Sequence, residues 1–349
     1  MKFLVVGAGA IGGVIGGLLT KGGCDVTLLD VAEDHVLAMQ QHGLKLIMPD
    51  GSEEVISVKA QTVEEYLKSC PGPVECLLLC VKGQFTEAAL EPFLPAMDEN
   101  SFVVSVQNGL NEYTIEKLIG RERTVSGFVN IFSDYMEPGV INYGGKGALV
   151  LGEMDGSMTG RMKLLEQELK GLDHLELSDN VLGYLWAKLG YAVILLATTL
   201  TNETMADVID DPRYRIMLMD LASETYQVAQ AEGFELPQFD DFDPADAYPR
   251  EGRDLDKLHR QLDVHVQRLR SYTKVHSGFW RDIVVRKRRS EVSVFELPVR
   301  ECAQKHGIPI PLTARCFEMF RQLEAGERPF TTDNLDELVL LDRQIYARR

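Results

Sequence analysis

The stretch Phe3-Leu4-Val5-Val6-Gly7-Ala8-Gly9-Ala10-Ile11-Gly12 decides the fold of the first half of this chain. A short apolar run passes directly into a GxGxxG pattern, which is typical of a buried strand, a tight turn and a helix. Gly7 allows the turn, Gly9 lets the backbone approach a phosphate, and Gly12 lets the helix pack closely against the strand. The pattern therefore predicts a dinucleotide-binding βαβ unit.

The residues around this turn indicate how a dinucleotide is held and which one is preferred. Ala10 and Ile11, at the start of the predicted helix, present free amide groups and the positive end of the helix dipole to phosphates. The next apolar run ends on Asp30, close to the spacing of about 20 residues expected for a ribose-binding carboxylate. Such a carboxylate repels a 2′-phosphate, and residues 31–34 include no lysine or arginine. We expect NAD(H) to be preferred, with NADP(H) as the alternative.

Length, charge and cysteine usage exclude several classes of protein. The 349 residues suggest about two domains, and a hydrophobic content of 45% is that of a globular protein. A net charge of −17 at pH 7 disfavours nucleic acids and anionic membranes as partners. The cysteines and histidines lack metal-type spacing, so we expect no metal and reduced thiols in a cytoplasmic protein. The cysteines are Cys24, Cys70, Cys76, Cys80, Cys302 and Cys316.

One segment has the length and polarity of a membrane span. The run from Val181 to Leu200 carries a single charge, at Lys188. No second span, aromatic belt or basic flank accompanies it, so a buried core helix is the better interpretation. The apolar amino terminus contains too many glycines for a signal peptide.

Further apolar runs predict a parallel sheet. Their composition is typical of strands that are buried on both faces, and a crossover helix fits between two of them. We predict an α/β Rossmann domain with a doubly wound parallel sheet over residues 1–178. Ligands of such sheets bind at the carboxyl ends of strands, which makes Lys82 and Asn108 candidate site residues. The predicted strands are 74–81, 102–106 and 124–131, and the crossover helix is 86–97.

From residue 179 onward the pattern is helical. Hydrophobic spacing and caps predict an all-helical domain over residues 179–349. Asp211-Pro212 places a proline at the first position of a helix that ends at Gly233, and another helix spans 291–305. The acidic segment 239–246 lacks the glycine and glutamate of a calcium loop, so we expect a solvated loop there.

Taken in order along the chain, these and further motifs resemble those of the ketopantoate reductase (2-dehydropantoate 2-reductase) family. The resemblance covers nearly the whole length, and the order and spacing of the motifs make it specific. After the glycine turn, the matching motifs are Cys80-Val81-Lys82, Gln107-Asn108-Gly109, Pro138-Gly139, Gly152-Glu153, Trp186-Ala187-Lys188-Leu189, Ser277 to Asp282, Ser290-Glu291 and Gly307-Ile308-Pro309-Ile310-Pro311.

The resemblance implies a function and a role for particular residues. It implies a cytoplasmic NAD(P)-dependent oxidoreductase of pantothenate biosynthesis that acts on a small carbonyl compound. The helical domain would bind substrate and provide a dimerisation surface, and a homodimer is compatible with this organisation. Lys188 would be the general acid, with Asn108 and Glu291 touching the substrate. Lys82 and Asn108 would also lie along the cofactor.

Elementary chemistry supports the role of Lys188 independently. An ammonium group in a nearly apolar helix is costly unless it has a partner or a task. Hydride arriving at a carbonyl carbon leaves an alkoxide, which needs both a proton and charge stabilisation. A lysine supplies both, although a salt-bridged or snorkelling structural lysine is the alternative.

The chain departs from the family pattern where substrate would be held. The family places asparagines four and eight residues after the lysine, where this chain has Ala192 and Leu196. It places a serine where this chain has Gly278, and the segment 239–274 is longer here. The grip on ketopantoate itself is therefore in doubt. Neighbouring polar residues that could replace these contacts are Tyr191, His276, Ser277 and Arg281.

Three functions remain open from the sequence. The first is an NADH-preferring reductase of a 2-oxo acid or related ketone, with ketopantoate as the family's substrate. The second is a reductase of a more apolar carbonyl compound, or of an opine-type or imine substrate that requires an amine. The third is a dinucleotide-sensing binding protein that catalyses no turnover.

Overall fold

The computed structural model describes residues 1–69, 72–145, 147–172, 175–272 and 275–346. Contacts between residues divide the chain into two compact units, Met1–Leu182 and Gly183–Arg349. We describe each unit by itself.

The first unit alternates strands and helices, as the apolar runs predict. Its elements are β1 (Lys2–Val6), α1 (Ala10–Lys21), β2 (Asp25–Asp30), α2 (Glu33–His42), β3 (Leu44–Ile47), β4 (Glu53–Ile56), β5 (Lys59–Thr62), α3 (Val63–Ser69), β6 (Cys76–Leu79), α4 (Thr86–Leu90), β7 (Phe102–Ser105), α5 (Glu112–Ile119), β8 (Thr124–Val129), β9 (Phe132–Glu137), β10 (Val140–Gly145), β11 (Leu149–Glu153), α6 (Gly160–Glu168) and β12 (Leu175–Leu177).

An eight-stranded sheet forms the centre of this unit, in the order β12-β11-β8-β7-β6-β1-β2-β5. All neighbouring strands are parallel except β8 and β11, which are antiparallel. Alternate residues of β1 enter different cores: Phe3 and Val5 pack in one, and Leu4 and Val6 in the other. Burial on both faces explains why the strands appear in the sequence as continuous apolar runs. The predicted α/β fold is confirmed.

Two details of this unit differ from the sequence prediction. A second sheet, in the order β4-β3-β10-β9, was not predicted, because its short strands are only partly buried and give no continuous apolar run. The crossover helix predicted over 86–97 is α4 followed by a 3₁₀ segment, Glu91–Ala96. Pro92 and Pro95 account for the change, because proline cannot donate the α-helical hydrogen bond.

The second unit is all-helical, as predicted. Its helices are α7 (Val181–Thr198), α8 (Met205–Asp210), α9 (Arg215–Ala231), α10 (Leu255–Ser271), α11 (Gly278–Trp280), α12 (Val292–His306), α13 (Pro311–Glu324) and α14 (Asp333–Ile345). A π-helical segment, Arg281–Val285, follows α11 directly.

The apolar helix α7 packs closely against α9. A Cβ atom on Gly190 would lie 2.1 Å from the ring of Tyr226, so only glycine permits this approach. The Tyr226 hydroxyl donates a hydrogen bond to the carbonyl of Ala187 at 2.9 Å. By length and composition α7 could span a membrane, but 78% of it is buried inside the protein, as in a core helix.

Two expectations for the second unit were wrong. Helix α9 begins at Arg215 rather than at Pro212, because the Asp211 carboxylate accepts the amide of Arg213 and forms a turn. The acidic segment 239–246 is packed rather than solvated: Phe239 and Phe242 are buried. Asp246 pairs with Lys257 and Asp241 with Arg268, both on α10, while Asp240 remains exposed.

The described cysteines form no disulfide bond. Cys24, Cys76, Cys80, Cys302 and Cys316 are all free, whereas Cys70 lies outside the described residues. Burial raises the pKa of the Cys80 thiol to about 12, so this residue of the Cys-Val-Lys motif is a packing group and not a nucleophile.

Candidate functional site

The glycine turn between β1 and α1 is closed by backbone contacts that leave no space for side chains. Gly7 has φ +93°, and its amide and that of Ala8 both donate to the carbonyl of Leu29, at 2.9 and 3.0 Å. A Cβ atom on Gly12 would lie 2.0 Å from the carbonyl oxygen of Gly7. Turn and helix therefore pack in direct backbone contact, as the sequence predicts for Gly7 and Gly12.

Gly9 occupies a different environment, which fits a cofactor phosphate. A Cβ atom there would meet nothing within 4 Å, and Gly9 caps α1 without any side-chain hydrogen bond. The first amides of this twelve-residue helix, including Ala10 and Ile11, have no acceptor within the helix. Open space in front of uncapped amides is the arrangement that accepts a pyrophosphate.

Asp30 ends β2 beside this turn, in an acidic neighbourhood. One of its carboxylate oxygens accepts the amide of Ala32 at 3.0 Å, which fixes the chain as it enters α2. Burial raises the pKa of Tyr135, and the negative charges of Asp34 and Asp30 add to this effect. Asp30 and Asp34 therefore place negative charge together beside the glycine turn.

Lys82 and Asn108 lie past the carboxyl ends of the neighbouring strands β6 and β7, and both are half-buried. Gln107, the residue before Asn108, was not predicted as part of the site. Its buried amide donates to the carbonyl of Val81 at 2.8 Å and to the Thr86 hydroxyl at 2.9 Å. Gln107 thus joins the two loops that carry Lys82 and Asn108. Its place in the Gln-Asn-Gly motif was the sequence signal that could have pointed to Gln107.

Replacing Gly12 and Gly9 one at a time distinguishes an effect on stability from an effect on ligand binding. We expect Gly12→Ala to lower the melting temperature, because overpacking typically costs about 1–3 kcal/mol. Gly9→Ala should leave the melting temperature unchanged but weaken NADH binding by roughly tenfold or more, because the methyl group enters the space for phosphate. Differential scanning fluorimetry and NADH titration measure the two effects.

Gly160→Ala is the matched control, since Gly160 is an exposed helical glycine in the same unit with open space around it. It should change neither quantity. Parental NADH affinity in Gly9→Ala would show that the phosphates do not lie at this turn.

In the second unit, Lys188 lies on a single half-buried face of α7. The residues of this helix that are not fully buried are Tyr184, Lys188, Tyr191 and Leu195. Their spacing of four, three and four residues places them along one stripe, which we call the open stripe. Lys188 is therefore carried by a rigid, buried helix, and its side chain belongs to the one face that is partly accessible.

Tyr191, on the same stripe, is held by a hydrogen-bonded chain that the sequence did not reveal. Its hydroxyl lies 2.8 Å from Nε2 of His265, and Nδ1 of His265 lies 3.2 Å from the carboxylate of Asp241. Arg268 donates to the other oxygen of Asp241 at 2.8 Å. Burial raises the pKa of the Tyr191 phenol above its usual range. Tyr191 therefore presents a ring rather than a free hydroxyl to the open stripe.

The negative charge of Asp241 in this hydrogen-bonded series is balanced by its neighbours. Burial opposes ionisation of Asp241, but the hydrogen bond and charge of His265, together with Arg268, hold the pKa of Asp241 below its usual value. All of these partners come from the segment 239–272. The signal in the sequence was the expectation, from the family resemblance, that the segment 239–274 is longer here.

The remaining candidates lie on and after α11. Ser277 is buried, and its hydroxyl is shared between the hydroxyl of Thr199, at 2.7 Å, and the amide of Trp280, which it caps at 3.1 Å. Thr199 is eleven residues beyond Lys188, roughly 16 Å along the helix axis. Ser277 therefore joins α11 to the end of α7, and its role as a substrate contact stays a prediction.

His276, Arg281 and Glu291 have distinct surroundings. The imidazole of His276 stacks on Trp280 with ring centres 3.9 Å apart, and burial lowers its pKa. Arg281 is half-buried at the start of the π-helical segment, and Glu291 is half-buried at the amino-terminal cap of α12. Stacking on Trp280 engages one face of the His276 ring, and its role as a substrate contact stays a prediction.

Comparison with known proteins identifies both units. The family model described as Ketopantoate reductase PanE/ApbA matches residues 3–156, and the model of its C-terminal domain matches residues 180–324. The 2-dehydropantoate 2-reductase of Pyrococcus abyssi is 29% identical over 252 residues, which cover 69% of this chain and 79% of that protein.

Solved structures show the same fold over nearly the whole chain. A ketopantoate reductase of the PanE/ApbA family from Ralstonia eutropha has a TM-score of 0.74 and 24% identity, covering 94% of this chain and 99% of the other. D-mandelate dehydrogenase in complex with NADH and anilino(oxo)acetate has a TM-score of 0.77 and 20% identity, with 94% and 99% covered. At these identities the structural likeness establishes the fold.

Proposed function

This chain belongs to the ketopantoate reductase family, and from that premise we propose that it reduces a 2-oxo acid or related ketone with NADH, using Lys188 as general acid. The family establishes an NAD(P)-dependent oxidoreductase. The identity of the acid, the preference between the two cofactors and the roles of individual residues are the proposal.

The position of Lys188 on the open stripe carries the proposal. The glycine turn of Gly7, Gly9 and Gly12 would hold the pyrophosphate, and Asp30 the adenosine ribose. When bound, the cofactor supplies a hydride to the carbonyl carbon of the substrate. The Lys188 ammonium would hold its proton at the carbonyl oxygen and transfer it as negative charge develops there.

Three further residues would support this chemistry. We assign Asn108 to orienting the substrate and the nicotinamide end of the cofactor, and Lys82 to the cofactor beside it. Both follow adjacent strands at the edge where such sheets bind ligands. We assign Glu291 to a polar group of the substrate, with its backbone fixed by the start of α12.

The residues next to Lys188 favour an apolar substituent on the substrate. Ala192 and Leu196 are 8% and 0% exposed. Because their side chains have no polar atom, neither offers a hydrogen bond where the family has asparagines. Tyr191 adds an aromatic ring whose hydroxyl is already engaged. D-mandelate dehydrogenase shares this fold and binds an anilino-substituted oxo acid. This supports a bulky, apolar 2-oxo acid as the candidate substrate beside ketopantoate.

The cofactor preference is tested by comparing catalytic efficiencies. We expect kcat/KM with NADH to exceed that with NADPH, because a 2′-phosphate would face Asp30, Glu33 and Asp34 with no lysine or arginine at 31–44. The difference should be at least about tenfold, from a like-charge penalty of about 1.4 kcal/mol. Equal efficiency with both cofactors would contradict the role given to Asp30.

The proposed activity is tested by following NADH oxidation with a panel of carbonyl compounds. The panel contains ketopantoate, aliphatic and aromatic 2-oxo acids and simple ketones, each with and without an amine. Turnover of a 2-oxo acid without amine supports the proposal, and turnover only with amine would indicate an opine-type or imine reductase. NADH binding without turnover on any compound would indicate a binding protein. A cytoplasmic location and a homodimer remain proposals that rest on the family alone.

A further inference from the structure

A buried histidine beside the glycine turn has no role in the chemistry above. His35 lies in the first turn of α2 and is 1% exposed. Its Nε2 is 2.9 Å from the carbonyl oxygen of Ala8, and its Nδ1 accepts the amide of Gly139 at 2.8 Å. Both ring nitrogens are therefore committed to backbone groups from two different loops.

These partners determine where the imidazole carries its proton. The amide of Gly139 can only donate, so Nδ1 must be the unprotonated nitrogen. Nε2 then carries the hydrogen and donates it to the carbonyl of Ala8. Tyr135 packs against the ring edge-on, with ring centres 5.1 Å apart, and helps to keep its orientation.

The groups that His35 joins are those that would surround a dinucleotide. The Ala8 carbonyl belongs to the peptide that leads into Gly9, where the open space for phosphate begins. Helix α2, which carries His35, starts directly after the segment that follows Asp30. Gly139, at φ +76°, forms the turn between β9 and β10, and its carbonyl accepts the amide of Lys45 at 2.8 Å. One side chain thus ties the pyrophosphate turn to the ribose side and to the second sheet.

Several other backbone groups of the turn are held by backbone partners. The amides of Gly7 and Ala8 are held by the Leu29 carbonyl, and the amide of Gly13 by the carbonyl of Gly9. The carbonyl of Ala8 is fixed by His35. Removing the imidazole would release the one peptide plane whose rotation changes the direction of the Gly9 amide.

We propose that His35 is a positioning residue for the cofactor: it orients the Ala8–Gly9 peptide so that the turn receives the pyrophosphate. This inference rests on the dinucleotide binding in the proposed function, but not on the identity of the substrate. It assigns no catalytic step to His35. The predicted consequence is a loss of cofactor affinity that depends on the phosphates of the ligand.

The test compares ligands with and without a pyrophosphate in His35→Phe. This variant keeps a flat buried ring and removes both hydrogen bonds, so we expect the Kd for NADH to rise about 10–100-fold. The Kd for ADP should rise similarly, whereas that for adenosine, measured by competition with a fluorescent nucleotide, should change by less than about threefold. His35→Gln offers an amide donor and a carbonyl acceptor to the same partners, and should bind NADH more tightly than His35→Phe.

Met39→Ala is the matched control for lost stability. Met39 is 1% exposed on the same helix, and truncating it destabilises the core without removing a hydrogen bond to the glycine turn. It should keep the parental Kd for NADH at temperatures where both variants are folded. An unchanged NADH affinity in folded His35→Phe would overturn the inference, as would equal losses for ADP and adenosine or equal losses in Met39→Ala.

The outcome is separable from that of the proposed function, because binding is measured without turnover. A parent protein that binds NADH but reduces no carbonyl compound overturns the proposed activity and leaves His35 to be tested as described. A parent protein that binds neither NADH nor ADP overturns both.

Discussion

Replacing Lys188 with alanine should reduce kcat by roughly 10²–10⁴-fold, the usual contribution of a positioned general acid. The Kd for NADH should be nearly unchanged, because the glycine turn and Asp30 lie in the other compact unit. The parental rate should also decline at alkaline pH, where the ammonium loses its proton, and this decline should be absent from the variant. Steady-state kinetics across pH, with NADH titration on the same preparations, provide the measurement.

Two further variants distinguish proton transfer from charge alone. Lys188→Arg should not restore the rate, because a guanidinium keeps its positive charge but does not give up a proton. Lys305→Ala is the matched control, since Lys305 is an exposed lysine of the same unit that pairs with Glu232. It should keep parental kcat.

One outcome removes Lys188 from the mechanism. If folded Lys188→Ala protein, checked by circular dichroism, retains more than about a tenth of parental kcat, the lysine is not the general acid. Its place on the open stripe would then be explained by packing of the aliphatic part of the side chain.

Ketopantoate should be a poor substrate compared with a 2-oxo acid that carries a bulky apolar substituent. Each missing partner for a buried polar group costs about 1–3 kcal/mol, so the three changes at Ala192, Leu196 and Gly278 should lower kcat/KM by roughly 10²–10⁶-fold. The comparison is made with both acids at saturating NADH. A ketopantoate efficiency in the ordinary range of ~10⁴–10⁸ M⁻¹s⁻¹ would show that other residues restore the grip.

A single substitution should shift this preference. Ala192→Asn places an amide four residues after Lys188, on the neighbouring part of the same helix face. We expect it to raise kcat/KM for ketopantoate by about tenfold, through a new hydrogen bond to a buried hydroxyl, and to lower that for the apolar acid. Ala192→Val adds volume without a donor and should lower both, which separates hydrogen bonding from size.

The cofactor half of the account was predictable because its chemistry lies in one short stretch. Gly7, Gly9 and Gly12 impose their geometry locally, and Asp30 follows at a spacing fixed by one strand and one helix. The buried strands of the central sheet were equally predictable, since burial on both faces requires continuous apolar runs. The second sheet was not, because its short strands are only partly buried and its two hairpins, β3-β4 and β9-β10, join through a pairing of β3 with β10 that is distant in sequence.

The substrate half depends on contacts between distant segments, which no local pattern records. The sequence marks Lys188 as a charge in an apolar helix, but the chain from Tyr191 through His265 to Asp241 joins three separate elements. For the same reason the sequence did not reveal that Ser277 is engaged by Thr199. No pattern in the sequence marks His35, and only its two backbone partners give it a role.

Transfer of deuterium from labelled cofactor tests the central claim most directly. The protein is incubated with the best 2-oxo acid of the panel and with NADH in which deuterium replaces both hydrogens on nicotinamide C4. The product is analysed by mass spectrometry and NMR. The account predicts a 2-hydroxy acid with one deuterium on its carbinol carbon. Consumption of NADH with no deuterium in the product, or with deuterium only in an amine, would contradict it.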